Sequence, residues 1–222
     1  MKSQNKPYKQ IWEAIAEGIK EDIISGYYKL GEPLKENELA TKYDSSKTPV
    51  KEALRYLEGI GFVEIVPYKG ARVKNMDKEE VMSLYNILGA LEGLAALKAT
   101  PNLNGKHHEK LEKYAGLLKK HFRENSPIKY EKTNLIFHGI IFEDLKDSKL
   151  TEMFSHIREQ LQRYRIVTRR NLEKFKHIVS DHREIVEALV KRDGGKAEKL
   201  IREHYEKSGN IIVRLLDKEA PF

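Results

Sequence analysis

Hydrophobic positions in the first quarter of the chain recur at helical spacing. Trp12, Ile15, Ile19 and Ile23 line one face of a helix that Gly26 stops, and a connection then runs from Tyr27 to Pro33. Leu34, Leu39, Ala40 and Tyr43 give a shorter apolar face, closed by the polar turn Asp44-Ser45-Ser46. Val50, Ala53, Leu54, Leu57 and Ile60 mark the buried side of a third helix. Ser45 or Ser46 can cap its first turn, Pro49 stands early enough that its missing N–H costs little, and Gly59 with Gly61 ends it. At Phe62 the period shortens to that of a strand. Phe62 to Val66 and Ala71 to Lys74 therefore read as a hairpin around a turn at Pro67 to Gly70.

From Asp77 the pattern is helical throughout, predicting six helices near 78–99, 106–124, 128–145, 148–173, 178–192 and 195–217. Thr100-Pro101, Ser126-Pro127, Asp147-Ser148, the stretch Lys174 to His177 and Asp193-Gly194-Gly195 separate them. The expected fold is mainly α: a winged helix-turn-helix with a two-stranded wing over residues 1–76, then an antiparallel all-α bundle over residues 77–222. Residues 3 to 8, with Pro7 and polar neighbours, read as a loosely docked arm.

Opposite its apolar face the third helix is cationic, with Lys47, Lys51 and Arg55 at four-residue steps. A helix fits the major groove, where base edges can be read, while a hairpin beside it reaches the backbone or minor groove. Ser46, Lys47, Thr48, Lys51 and Arg55 are thus the expected DNA-facing residues, with Asn37 on the preceding helix and Tyr68, Lys69 and Gly70 at the wing tip. On spacing alone a solvated charged face explains the lysines equally well. The turn, the cap and the wing together favour duplex DNA.

Composition adds bounds. The 222 residues, 40% of them hydrophobic, suit one or two cored domains, and the absence of cysteine excludes disulfides. No apolar run approaches a membrane span, and Lys2, Lys6 and Lys9 are not followed by the apolar core of a signal peptide, so a cytoplasmic protein is expected. The net charge of +7 is not concentrated in the head: residues 1–76 hold 13 basic and 11 acidic side chains. Attraction to phosphate must come from local placement.

In the bundle, His138 follows Asn134 by one helical turn, His182 follows Asp181, and His204 lies in the last helix. Asn134 and His138 share a face, and two further helices could each present an imidazole to the same spot. Imidazole nitrogens with an amide oxygen suit zinc, nickel, iron or manganese. Spacing alone also fits surface histidines, and His107, His108, His121, His156 and His177 show no ligand spacing at all. A three-histidine metal is also how hydrolytic zinc sites are built, with Glu184 or Glu203 as the general base such an enzyme would need.

The runs Leu34-x-Glu36-x-x-Leu39-Ala40, Ser46-Lys47-Thr48-Pro49-Val50-Lys51-Glu52-Ala53-Leu54, Leu57-x-x-x-Gly61-Phe62-Val63 and Gly70-x-x-Val73 resemble the DNA-binding domain of GntR-family transcriptional regulators. Members usually carry arginines where this chain has Lys47 and Lys51, and often a basic residue at Asn37. Lysine keeps the charge without the planar fork that grips guanine bidentately, which shifts base discrimination toward DNA shape or single-donor contacts.

Asn134-Leu135-Ile136-Phe137-His138, Asp181-His182-Arg183-Glu184-Ile185 and Arg202-Glu203-His204 resemble the ligand-bearing segments of the FCD effector domain, in its shorter six-helix variant. That resemblance implies a divalent transition metal on Asn134, His138, His182 and His204, and a small-molecule effector, with organic acids the usual class. It also implies a homodimer on a pseudo-palindromic operator. An aspartate usually stands at Asn134, so this site loses one negative charge and gains appeal for an anionic ligand. Leu88-Gly89-Ala90-Leu91-Glu92 aligns with an Arg-x-x-Leu-Glu pattern, which places leucine where an effector-clamping arginine is common. The replacement cation is sought among Arg158, Arg163, Arg165 and Arg169, with Tyr85 and Tyr164 as pocket walls; Arg165, Tyr85 and Arg169 are the expected effector contacts. The alternative is a helical domain without metal, serving structure alone.

Overall fold

The structure, a computed structural model, describes residues 10–218; the arm at residues 3 to 8 lies outside them. The chain divides into two compact units that meet between Met76 and Asp77.

In the first unit, helix α1 (Ile11–Ser25) opens with Gln10 and Glu13 capping each other's backbone N–H groups and closes on Gly26. Strand β1 (Pro33–Leu34), α2 (Glu36–Lys42), α3 (Lys47–Gly59), β2 (Val63–Val66) and β3 (Gly70–Val73) follow. Ile15, Ile19 and Ile23 of α1 pack with Val50, Ala53, Leu54 and Leu57 of α3 in one core, against which Trp12 and Tyr43 lean. Burying such a side chain contributes roughly 1.5–3 kcal/mol, so this core, not the caps, holds the head together.

Two details depart from the sequence expectation. Ser46 takes the N-cap position of α3, yet it makes no side-chain cap; Ser45 turns its hydroxyl to the Ser46 carbonyl instead. The sheet has three strands in the order β1-β3-β2, because Pro33 and Leu34 pair antiparallel with Arg72 and Ala71. Two residues carry no alternation to read. At the hairpin tip Tyr68 is fully exposed and sits at φ +63°, a left-handed backbone that a side chain adopts at a cost of about 1–2 kcal/mol.

The second unit contains α4 (Lys78–Ala99), α5 (Gly105–Arg123), α6 (Pro127–Gly139), α7 (Ser148–Leu161), α8 (Arg165–Arg170), α9 (Lys176–Val190) and α10 (Gly194–Lys218). Helix α4 is central, with α10 as its main partner and α7 also against it. The α4–α10 approach needs small residues: a Cβ on Gly89 would stand 3.2 Å from Tyr205 Cβ, and one on Gly93 3.0 Å from Glu198 Cγ. Against the expectation that no segment reaches a membrane span, Lys78–Asn102 is long and apolar enough to do so. Its apolar character serves this core, although Ile87, Leu94 and Leu97 remain 40–42% exposed.

The helix expected over 148–173 is broken by 3-10 turns at Gln162–Tyr164 and Leu172–Phe175. The first break turns Arg163 and Tyr164 inward. Buried Arg163 pairs with Glu80 and donates from Nη2 to the Tyr164 hydroxyl at 2.9 Å, and that hydroxyl donates to the Asp77 carbonyl at 3.2 Å. Together they clasp the first turn of α4. The helix expected over 128–145 likewise stops at Gly139 and tightens into a 3-10 turn at Ile140–Phe142.

Candidate effector centre and DNA-facing surface

Three helices bring His138 (α6), His182 (α9) and His204 (α10) together, all buried, with one ring nitrogen of each within 4.8 Å of the others. Ring centroids lie 5.5 Å apart for His138–His182, 5.2 Å for His138–His204 and 4.7 Å for His182–His204. Phe137 packs edge-on against His138 and His182, at 5.2 and 4.9 Å, and fixes both rings from one side.

The polar atoms of this cluster are unevenly partnered. His138 Nδ1 lies 2.6 Å from Glu92 Oε1, Tyr205 donates to Glu92 Oε2 at 2.5 Å, and Glu92 is wholly buried. His182 Nε2 lies 2.9 Å from Asn134 Oδ1. His204 Nδ1 stands 3.7 Å from Asp181 Oδ2, beyond hydrogen-bond reach, while Lys207 holds that carboxylate at 3.2 Å. His138 Nε2, His182 Nδ1 and His204 Nδ1 are buried without a hydrogen-bond partner. Such atoms cost about 1–3 kcal/mol each when nothing meets them. Of the three, His138 Nε2 is the one on the far side of its ring from a bound carboxylate, since His182 turns Nε2 to Asn134 and His204 turns Nδ1 toward Asp181.

The donor set fits a transition metal. Three imidazoles and an amide oxygen are the nitrogen and oxygen donors such ions take, and one ring nitrogen of each histidine lies within 4.8 Å of the others. Burial holds His182 well below the ordinary histidine value, with repulsion from His204 and His138 adding to it. Burial also lowers His204, although Asp181 opposes the shift. Both rings are therefore neutral, the form that binds metal.

A pH dependence follows. A histidine lowered in the folded state takes up protons on unfolding, so its contribution is present above the unfolded value near 6.5 and is lost as pH falls from there toward the folded value. Metal-free protein should lose stability between pH 7 and 5, by about 1.4 kcal/mol per pH unit for each proton taken up. Urea unfolding at stepped pH measures this, and a flat midpoint across that range would contradict it.

Beside the histidines lies a cavity of about 140 Å3, walled by Tyr85, Leu88, Asn134, His138, Arg158, Arg165, His204 and Tyr205 among others. Leu88 faces it where the resembled pattern carries arginine. Glu131 pairs with both Arg165 and Arg169, and Arg169 is not among the cavity walls. Arg158 differs: it donates to the Leu135 carbonyl at 3.1 Å, and no carboxylate pairs with it among the described residues. Arg163 and Tyr164, weighed as effector contacts, face α4 instead. Glu184 is exposed, Glu203 is engaged with Lys199 at 3.9 Å, and neither reaches the cavity.

Sequence reading passed over Glu92, Tyr205 and Asp181 as partners of the cluster. A signal existed for Glu92: it continues the stripe of Leu84 and Leu88, so a carboxylate falls on a buried face.

In the other unit, Asn37, Ser46, Lys47, Thr48, Lys51, Arg55, Tyr68, Lys69 and Gly70 are all exposed. Lys51 stands 3.6 Å from Glu36, so part of its charge is answered within the protein.

The FCD domain family matches residues 83–207, and the family described as bacterial regulatory proteins, gntR family, matches residues 11–73. The HTH-type transcriptional regulator YdhC of Bacillus subtilis is 23% identical over 205 residues, 90% of each chain. The HTH-type transcriptional repressor RspR of Escherichia coli is 22% identical over 221 residues, covering 99% of this chain and 96% of RspR. The solved structure of E. coli McbR/YncC superposes with a TM-score of 0.76 at 18% identity, over 92% of this chain and 98% of that one.

Proposed function

Because the chain belongs to the GntR family of bacterial regulatory proteins and carries an FCD domain, and so is a DNA-binding transcriptional regulator rather than an enzyme, we propose that a small-molecule effector controls it through a metal on Asn134, His138, His182 and His204. The observation that carries this reading is the buried convergence of three imidazoles, one ring nitrogen of each within 4.8 Å of the others, beside a cavity. The metal would supply a Lewis-acidic anchor for an anionic group. Arg158, a cavity cation that no carboxylate pairs with among the described residues, would orient the same ligand.

The route to the head is short in sequence. Leu161, Gln162 and Arg165 wall the cavity, and between them Arg163 and Tyr164 clasp Asp77 and Glu80 at the start of α4, directly after the winged unit. An occupant that displaces the 3-10 turn loosens or tightens that clasp. It shifts the regulator only by its difference in affinity for the two arrangements.

Two copies would pair, with Ile87, Leu94 and Leu97 on one exposed face of α4 as a covered surface, and would meet a pseudo-palindromic operator with equivalent α3 helices. In each, Ser46, Lys47, Thr48, Lys51 and Arg55 would enter the major groove and Tyr68, Lys69 and Gly70 would follow the minor groove, with Asn37 beside them. A cytoplasmic location accords with access to the chromosome.

The test is selection of genomic fragments by the full chain, first stripped of metal and then loaded with Zn2+, with candidate organic acids added in turn. Enrichment of inverted half-sites, with at least one acid changing the enrichment only in the loaded protein, is the expected result. Identical enrichment in every arm would leave the FCD unit without a regulatory role.

A further inference from the structure

We infer that Glu92 is a positioning residue for the metal: it fixes the tautomer of His138 and ties the cluster to α4, a helix that supplies no ligand of its own. The inference rests on the reading that the histidines hold a metal.

A carboxylate between two donors is acceptor-only. Glu92 Oε2 accepts the Tyr205 hydroxyl at 2.5 Å, and Glu92 Oε1 lies 2.6 Å from His138 Nδ1. With Glu92 ionised, the ring proton resides on Nδ1. That leaves the lone pair on Nε2, the atom that is buried and without a hydrogen-bond partner in the cluster. Carboxylates placed behind metal-bound histidines set ring orientation and raise ligand basicity in this way. Glu92 has no other role in view: it is wholly buried in the middle of α4, and both its oxygens are engaged by these two side chains.

The placement also has direction. His138 comes from α6 and Tyr205 from α10, directly after the ligand His204, so one α4 side chain touches two of the three helices that carry the histidines. A change in the length or tilt of the His138–metal bond acts on α4 through a single hydrogen bond. That is the helix whose first turn Arg163 and Tyr164 clasp.

The experiment uses the full chain and two probes. Long-range 1H–15N NMR on metal-free protein reads the His138 tautomer, and competition titration with Zn2+ reads affinity. Wild type should show the Nδ1–H form, Glu92→Gln a mixture of forms, and Zn2+ affinity should fall about 10–100-fold in that variant. Tyr205→Phe, which keeps the carboxylate, should retain the Nδ1–H form with a smaller loss; it serves if Glu92→Gln does not fold.

An Nε2–H form of His138 in metal-free wild type would overturn the inference without any variant. So would unchanged Zn2+ affinity in Glu92→Gln. A wild type that shows the Nδ1–H form, loses it in Glu92→Gln and yet binds no Zn2+ would support the tautomer assignment while defeating the metal reading, which separates the two failures.

Discussion

His182→Ala is expected to abolish metal uptake and, with it, any effector-dependent change in operator binding. His182 is the most enclosed of the three rings, and its Nε2 is the atom paired with Asn134. Loss of an outer partner costs about 10–100-fold in metal affinity, so loss of a direct ligand should cost more. Two further effects on stability oppose each other. The truncation leaves a cavity, worth about 1–3 kcal/mol against the fold, and it removes a buried ring nitrogen that has no partner, which offsets part of that. The decisive quantity is therefore the metal-linked part. A ligand at about 1,000 times its Kd stabilises by about 4 kcal/mol, so wild type should gain several degrees in unfolding midpoint with Zn2+ and the variant none. A Zn2+-dependent rise of equal size in both proteins would refute the ligand assignment.

Joint replacement of Lys47 and Lys51 by alanine should cost operator affinity on the order of 100-fold while leaving the fold intact. Both side chains are exposed, and exposed substitutions usually change stability by less than about 0.5 kcal/mol. The two residues should not contribute equally. Lys51 already faces Glu36 at 3.6 Å, whereas no carboxylate pairs with Lys47 among the described residues, so Lys47→Ala alone should cost more than Lys51→Ala alone. Salt dependence distinguishes what each lysine touches. If both neutralise phosphates, the slope of log K against log salt should flatten by about 1.8; if they read base edges, the slope stays closer to wild type and mismatched sites are tolerated better. Wild-type affinity in the double variant at every salt concentration would remove α3 from the DNA surface.

The fold was largely legible because both units follow simple apolar periods. The buried stripes of α1 and α3 and the hairpin were visible from Ile15, Ile19, Val50, Leu54, Leu57 and the turn at Pro67. What escaped was structure set by a few long-range polar contacts. Leu161-Gln162-Arg163-Tyr164 contains no proline or glycine, so nothing local announces a break there; the pull of Arg163 toward Glu80 and of Tyr164 toward Asp77 does. Strand β1 is legible only through its partner β3.

The candidate centre divides the same way. Ring positions followed from the resemblance and from helical spacing, and the structure gathers His138, His182 and His204. The arginines were a question of direction along a helix assumed continuous. Once that helix breaks, Arg158 and Arg165 face the cavity, Arg163 turns to α4, and Arg169, not itself a cavity wall, binds the wall residue Glu131. No pattern of period or composition resolves which of four arginines keeps an unanswered charge.

The glycines between α4 and α10 carry one more implication. With Gly89 against Tyr205 and Gly93 against Glu198, the two helices touch nearly backbone to backbone. A contact that tight resists sliding, so a displacement imposed on the last helix is carried along the first as by a stiff lever rather than absorbed by rotating side chains. Alanine at Gly93 would set a methyl 3.0 Å from Glu198 Cγ and 3.3 Å from the Glu198 carbonyl, so the lever would have to give by a few tenths of an ångström at its fulcrum.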